Sequence, residues 1–221
     1  MENMSEKCFE EFIAAARRVA EHGLVLCSSG NLSWRVDDER ILITTTDSWM
    51  STMSVDQIAI CRVDDGAILN DKQPSKEIGF HIGILQERSD VNVVLHYQSP
   101  YATTLSCRQQ KIEDFSVIPE IPYYIGPVAI VPYFTPGSRE LAGAITSAMK
   151  QHDVAILRNH GLVAVGRTFD DVITKAVFFE LACKIILHAG EHIQVLSKET
   201  IAELRHKGQA NRSKHSTQRT S

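Results

Sequence analysis

The chain lacks most of the short motifs that mark common enzyme classes. It has no Cys-x-x-Cys pair, no Gly-rich phosphate loop, no dinucleotide fingerprint and no arrangement of Ser, His and Asp for nucleophilic catalysis. These absences argue against dithiol redox chemistry, nucleotide binding and serine-hydrolase chemistry. Any catalysis must therefore depend on side chains that are scattered along the sequence.

Long apolar runs are also missing. No stretch approaches the ~20 apolar residues of a membrane helix. The N-terminus is acidic and has no apolar run, so we expect no signal peptide. The five cysteines are an odd number without metal-type spacing, which favours reduced thiols packed as small apolar side chains. We expect a cytoplasmic protein that does not contact membranes.

An overall excess of positive charge is absent as well. The 221 residues carry a formal net charge of -4, so the balance gives no reason to expect a nucleic-acid partner. The basic charge is concentrated at the end, where five Lys/Arg and no Asp/Glu follow from Arg205 onward. We predict a domain over 1–200, then a short helix and a disordered basic tail over 201–221. A basic arm that touches an acidic partner is the alternative.

Apolar periodicity predicts alternating helices and strands without an internal linker. One α/β domain, with its sheet between layers of helices, follows from this order. The predicted helices are 5–22, 77–87 beginning near Ser75, 101–107, 137–150 with Ser138 as N-cap, 169–196 and 199–206, and the predicted strands are 32–36, 41–45, 57–62, 91–96, 128–131, 154–157 and 162–165.

Two histidines end apolar, β-branched runs. His96 closes one predicted strand, and His160 lies in a short turn between two others. Ligand sites in open α/β sheets lie at strand ends. With Glu77 at the start of a helix, the two imidazoles would form a divalent-metal site. Gln98, two residues after His96, points to the same face of an extended strand. Hydrogen-bonded structural histidines remain the alternative.

The sequence resembles the class II aldolase/adducin family, which includes L-fuculose-phosphate aldolase. The likeness covers about residues 5–200, and its motifs are specific because they occur together and in order. They are Ser-Gly-Asn-Leu-Ser (29–33), Ile-Leu-Ile-Thr (41–44), Pro-Ser-x-Glu (74–77), Phe-His-x-x-Ile (80–84), Asp-Val-Asn-Val-Val-x-His (90–96), Ser-Pro-Tyr-Ala-Thr (99–103), Pro-Gly-Ser-Arg-Glu-Leu (136–141) and Leu-Arg-Asn-His-Gly (157–161).

The resemblance implies a three-layer α/β/α fold around a mixed, largely antiparallel sheet. It also implies His96 and His160 as ligands of a zinc-type ion and Glu77 as the acid/base. The family has a further histidine where this chain has Gln98. An amide oxygen is a weaker zinc donor than imidazole, so we expect the site to hold zinc weakly or to prefer a harder ion such as manganese. An empty, structural site is the alternative.

Other expected site residues also come from the resemblance. Tyr123, with Tyr124 as a close second, matches a tyrosine that donates a proton to the neighbouring subunit of a homotetramer. A substrate pocket is expected from Ser28, Gly30, Asn31, Thr46, Ser75 and Lys76. The pocket is altered, because Asp47 and Lys76 replace residues of the family's phosphate site. A second family tyrosine is absent, since none follows Tyr133.

The expected function is metal-dependent cleavage of a small ketose 1-phosphate, such as L-fuculose 1-phosphate, to dihydroxyacetone phosphate and an aldehyde. An aldehyde-lyase of carbohydrate metabolism fits the retention of Glu77, His96 and His160. A sugar-phosphate 4-epimerase or a metal-dependent decarboxylase of the same family is the alternative, as is a non-catalytic, adducin-like assembly protein.

Overall fold

The computed structural model describes residues 4–109, 112 and 114–217. Short 3-10 helices occur at Met50–Thr52, Val55–Gln57 and Gly190–His192, and a π-helical turn occurs at Ile121–Ile125. The main elements, in chain order, are α1 (Glu6–Glu21), β1 (Asn31–Arg35), β2 (Arg40–Thr44), β3 (Ile58–Arg62), α2 (Ile78–Glu87), β4 (Val93–Tyr97), α3 (Pro100–Ser106), β5 (Val128–Val131), α4 (Arg139–Met149), β6 (Val154–Leu157), β7 (Gly161–Gly166), α5 (Phe169–Ala189) and α6 (Lys198–Thr217).

One mixed sheet of seven strands organises the chain, in the order β3-β2-β1-β4-β7-β6-β5. Every pairing is antiparallel except that of β5 with β6. This confirms the predicted α/β class with a largely antiparallel sheet. The register sets His96 of β4 opposite Asn31 of β1 and opposite Val163 of β7.

The two faces of the sheet bury separate apolar cores, which gives three layers. Alternate strand residues face opposite sides, so Leu95 and Tyr97 of β4 join one core while Val94 joins the other. Helices α1, α3 and α5 cover the first face, and α2 and α4 cover the second. His96 alternates with Tyr97, and it therefore faces α2.

Local signals explain several helix ends. The predicted N-cap Ser138 accepts a hydrogen bond from the Leu141 amide at the start of α4. The long α5 ends at Ala189, not at the predicted residue 196, because Gly190 takes a φ of 62° that breaks the helix.

The last helix is longer than the sequence predicted. It runs over Lys198–Thr217 instead of ending near residue 206, so most of the segment expected to be a disordered tail is helical. Lys207 and Glu203 form an i,i+4 ion pair, and Gly208 packs closely on Tyr123. Residues 218–221 of the expected tail lie outside the described residues. Among the residues that are described, no helix is both long and apolar enough to cross a membrane.

Candidate metal centre

Glu77, His96 and His160 converge on one point beside the sheet. Each offers a donor atom, and all three atoms lie within 4.8 Å of one another. The Nε2 atom of His96 is 3.5 Å from Glu77 Oε2, and that of His160 is 3.6 Å from Glu77 Oε1. Their side chains are 2%, 9% and 10% exposed for His96, His160 and Glu77. The three residues singled out from the sequence are therefore brought together in a nearly dry cluster.

The backbone of β7 fixes the ring of His96. Its Nδ1 lies 2.8 Å from the carbonyl oxygen of Leu162, which can only accept a hydrogen bond. Nδ1 therefore carries the proton, and in the neutral ring the lone pair is on Nε2, the atom that faces Glu77. A histidine whose other nitrogen donates to a carbonyl is the usual arrangement of a metal ligand.

Glu77 lies immediately before α2 as its N-cap residue. One carboxylate oxygen, Oε2, accepts a 2.9 Å hydrogen bond from the side-chain amide of Asn31. Among the described residues, the other oxygen has no hydrogen-bond partner although it is buried, and the same holds for Nδ1 of His160. A buried carboxylate oxygen without a partner is costly, and a bound cation would satisfy it.

A further histidine lies behind this cluster. His81, on α2, places Nε2 2.6 Å from Asn31 Oδ1 and Nδ1 2.7 Å from the hydroxyl of Ser33. His81 and Ser33 are fully buried, and Asn31 is 6% exposed. The structure connects His81 to Glu77 through Asn31.

Burial keeps His81 and His160 neutral near pH 7. Desolvation, with a smaller contribution from His96, lowers the pKa of His81 to about 3. Desolvation and His96 also lower the pKa of His160 to about 4, against an opposing effect of Glu77. A metal ligand must be deprotonated, so the environment prepares His160 for that role.

The predicted pocket residues divide between the cluster and its rim. The hydroxyl of Ser75 accepts a hydrogen bond from the Glu77 amide, and Thr46 Oγ1 donates to the carbonyl of Pro74. Gly30 packs so closely that a Cβ atom there would lie 2.6 Å from the carbonyl oxygen of His96. Ser28 and Lys76 are exposed.

Asp47 is also exposed, and it has a φ of 59°. Glycine adopts this left-handed conformation more readily than other residues, so Asp47 has an uncommon backbone conformation beside the pocket residue Thr46.

Gln98 lies just beyond the end of β4, where its backbone N–H donates to the carbonyl of Leu24. Its side chain passes over Gly161, since a Cβ atom on that glycine would lie 2.8 Å from Gln98 Cγ and 3.1 Å from His96 Cε1. Gln98 is thus beside the cluster, and ligation through its amide stays a prediction.

Tyr123 and Tyr124 lie in the π-helical turn. Tyr123 packs edge-on against Tyr124, and its hydroxyl accepts a 3.2 Å hydrogen bond from Asn211 of α6. Tyr124 stacks on Phe178 of α5 and is 37% exposed. These contacts hold the pair on α5 and α6, and a role at the metal centre stays a prediction.

Residues 10–187 match the family model of the class II aldolase and adducin N-terminal domain. The chain belongs to this family. It is 28% identical, over 94% of its length, to the whole 3-oxo-tetronate 4-phosphate decarboxylase of Haemophilus influenzae. It is also 32% identical to the L-fuculose phosphate aldolase of Methanocaldococcus jannaschii, in an alignment that covers 80% of this chain and 94% of that protein.

Solved structures share the fold. YgbL of Klebsiella pneumoniae, described as a putative aldolase/epimerase/decarboxylase, superposes with a TM-score of 0.85 at 25% identity, covering 92% of this chain and all of its own. An L-fuculose 1-phosphate aldolase gives a TM-score of 0.83 at 24% identity, covering 92% of this chain and 97% of its own.

Proposed function

We propose that the protein is a metal-dependent lyase that decarboxylates a phosphorylated 3-oxo sugar acid. The convergence of Glu77, His96 and His160 supports the chemistry. Relatives named as 3-oxo-tetronate 4-phosphate decarboxylases, which match most of the chain, support this substrate class over the ketose 1-phosphate expected from the sequence.

The donor set fits a divalent transition metal. Two imidazoles and a carboxylate are ligands that zinc accepts, and the buried, unpartnered oxygen of Glu77 gives a cation a charge to neutralise. His96 and His160 would hold the ion, the carboxylate of Glu77 beside them would balance its charge, and Gln98 lies close enough to be tested as a further ligand. When bound, the ion supplies a Lewis acid that polarises a substrate carbonyl.

The residues of the chain account for the proton movements. In decarboxylation of a 3-oxo acid, the bond between the carboxylate and the adjacent carbon breaks, carbon dioxide leaves, and the electron pair forms an enolate. That carbon then takes a proton to give the ketone. Glu77 is the carboxyl group positioned to hold and deliver it, because Oε1 makes no hydrogen bond to the described residues. Asn31 keeps the other oxygen in place.

Retro-aldol cleavage is the second candidate. L-fuculose phosphate aldolases of archaea reach 32–34% identity, slightly above the decarboxylase relatives, although over less of the chain. This reaction breaks the bond between C3 and C4 after a base takes the C4 hydroxyl proton, and it leaves an ene-diolate that must be protonated. The same carboxylate and a phenol such as Tyr123 would serve both steps.

A homotetramer with sites between subunits belongs to the same proposal. In such an assembly, Tyr123 of one subunit would reach the metal centre of its neighbour. The mass of the particle in light scattering after size exclusion tests this arrangement, and a monomer that is fully active would contradict it.

Metal content and product analysis test the function. The purified protein is expected to bind one equivalent of zinc or manganese and to release carbon dioxide from a 3-oxo-tetronate 4-phosphate. Glu77→Gln should lower kcat by about 10²–10⁴-fold, the usual contribution of a general acid or base. His188→Gln, at an exposed position of α5, is the matched control and should change nothing.

Two results would contradict the proposal. Failure to load any divalent metal would exclude this mechanism. Release of an aldehyde and dihydroxyacetone phosphate from a ketose 1-phosphate, without decarboxylation of the 3-oxo acid, would favour the retro-aldol reaction.

A further inference from the structure

We infer that His81 is a positioning residue, which sets the orientation of the Asn31 amide and through it the carboxylate of Glu77. This inference rests on the proposed function, in which Glu77 serves the reaction. It adds a hydrogen-bonded row of three side chains, Ser33, His81 and Asn31, that leads to the carboxylate of Glu77.

The hydrogen-bond partners determine which atom donates and which accepts at each step from Glu77 to Ser33. The carboxylate of Glu77 accepts from Asn31 Nδ2 over 2.9 Å, so Asn31 Oδ1 points away from it. That oxygen can only accept, and therefore His81 Nε2, 2.6 Å away, must carry a proton. In the neutral ring, Nδ1 then accepts a hydrogen bond from the Ser33 hydroxyl over 2.7 Å.

The reverse orientation of the amide is unfavourable at both ends. It would place Asn31 Oδ1 against the carboxylate of Glu77, with two oxygens facing each other. It would also place the Nδ2 donor against the N–H group of His81. With Nε2 protonated, His81 disfavours the rotamer that repels Glu77, and the Ser33 hydroxyl donates to Nδ1 of the same tautomer.

The hydrogen bonds among Ser33, His81 and Asn31 are buried, which makes the loss of any one of them costly. Ser33 and His81 are fully buried, and Asn31 is 6% exposed, so water cannot replace a lost partner. Asn31 and Ser33 are two residues apart on β1 and share a face, while His81 lies one turn after Glu77 on α2. The three hydrogen-bonded side chains therefore connect β1 with α2, the two elements beside Glu77.

A double-mutant cycle on the full-length protein tests the inference. Substituting a residue that hydrogen-bonds to a metal ligand typically lowers metal affinity or activity by about 10–100-fold. His81→Phe and Asn31→Ala should each weaken zinc binding, measured by chelator competition, by about tenfold, with a similar fall in kcat. The double variant should be no weaker than Asn31→Ala alone, because His81 acts through Asn31.

A conservative variant separates positioning from packing. His81→Gln keeps an N–H donor near the position of Nε2 and should restore most of the zinc affinity that His81→Phe loses. His188→Gln is the surface control. If His81→Phe lowers the melting temperature but leaves zinc affinity and kcat intact, or if the two losses multiply, the inference is wrong.

One readout needs neither metal nor turnover. Long-range proton–nitrogen NMR of the protein with labelled histidine should show the Nε2–H form of His81, and the Nδ1–H form would overturn the inference. If zinc binding and the tautomer respond as expected while no substrate is turned over, the positioning role of His81 stands and the proposed function fails.

Discussion

Glu180 of α5 accepts a 2.6 Å hydrogen bond from the hydroxyl of Ser99, which begins the turn between β4 and α3. The same carboxylate also accepts from the backbone amides of Tyr101 and Ala102 over 2.8 and 2.9 Å. It therefore satisfies the free amides of the first turn of α3. Because this turn follows His96 and Gln98 directly, Glu180 anchors the backbone that leaves the candidate metal centre.

Glu180→Ala should be strongly destabilising. The substitution leaves one hydroxyl and two amides without their acceptor, which costs about 3 kcal/mol in the free energy of unfolding. Urea unfolding measures this loss. Glu10→Ala, at an exposed position of α1, should stay within about 0.5 kcal/mol of the wild type. Equal effects at the two positions would show that Glu180 has no special role.

Gly208→Ala should loosen α6 from the turn that carries Tyr123. A Cβ atom at position 208 would overlap the carbonyl oxygen of Tyr123, so the helix must move away. We expect a loss of about 1–3 kcal/mol, as for other overpacked positions. Limited proteolysis should also cleave the C-terminal helix earlier.

Gly143→Ala is the matched control for this change. Gly143 lies on α4, and a Cβ atom at this position would have no neighbouring atom within 4 Å. Alanine should therefore be neutral or stabilise the protein by up to about 1 kcal/mol. If both variants behave alike, the contact between α6 and Tyr123 does not constrain the helix.

His81 should make stability depend on pH. Its pKa is about 3 in the folded protein, below the usual 6.5, so the unfolded chain binds a proton that the folded chain does not. The stabilisation by neutral His81 is complete above pH 6.5 and is lost as the pH falls toward 3. When the pH falls from 7 to 5, the free energy of unfolding of His81→Gln should decrease by about 2 kcal/mol less than that of the wild type.

Urea unfolding at the two pH values measures this difference. His160 shifts in the same direction but is present in both proteins, so it cancels in the comparison. The exposed His188→Gln variant should follow the wild type. Parallel pH curves for the wild type and His81→Gln would contradict the assignment of a neutral His81.

Gln98→His should tighten zinc binding. An imidazole is a stronger zinc donor than an amide oxygen, and the Cγ atom at position 98 already lies beside Gly161 and His96. We expect a gain of roughly tenfold in affinity, about 1.4 kcal/mol. Gln151→His, at an exposed position, controls for an added surface histidine. An unchanged dissociation constant would remove residue 98 from the centre.

Much of the fold was predictable because most strands and helices are apolar segments that end at polar residues or glycine. The predicted starts and ends of β5 and β6 agree with the structure, and Ser138 caps α4 as expected. One error has a local cause, because Gly190 ends α5 earlier than predicted, and another involves a long-range contact. Helix α6 extends past its apolar residues because Gly208 packs on a turn far away in the sequence.

The cluster of Glu77, His96 and His160 was predictable from the sequence, but the contacts that support it were not. Glu77, His96 and His160 stand out by residue type and by position at element ends. The connection of Ser33 to His81 depends on the pairing of β1 with β4 and on the docking of α2, which one sequence does not specify. A hint was present, because Asn31 and Ser33 alternate on β1 and His81 follows Glu77 by one turn.

The separation of the three donors along the chain has a consequence for folding. They approach only after β4 has paired with β7 and α2 has docked on the sheet. A partly folded chain contains all three side chains but cannot hold them together. Cation binding therefore opposes global unfolding rather than local fraying, and it should slow the amide hydrogen exchange of the central strands that opens only when the whole domain unfolds.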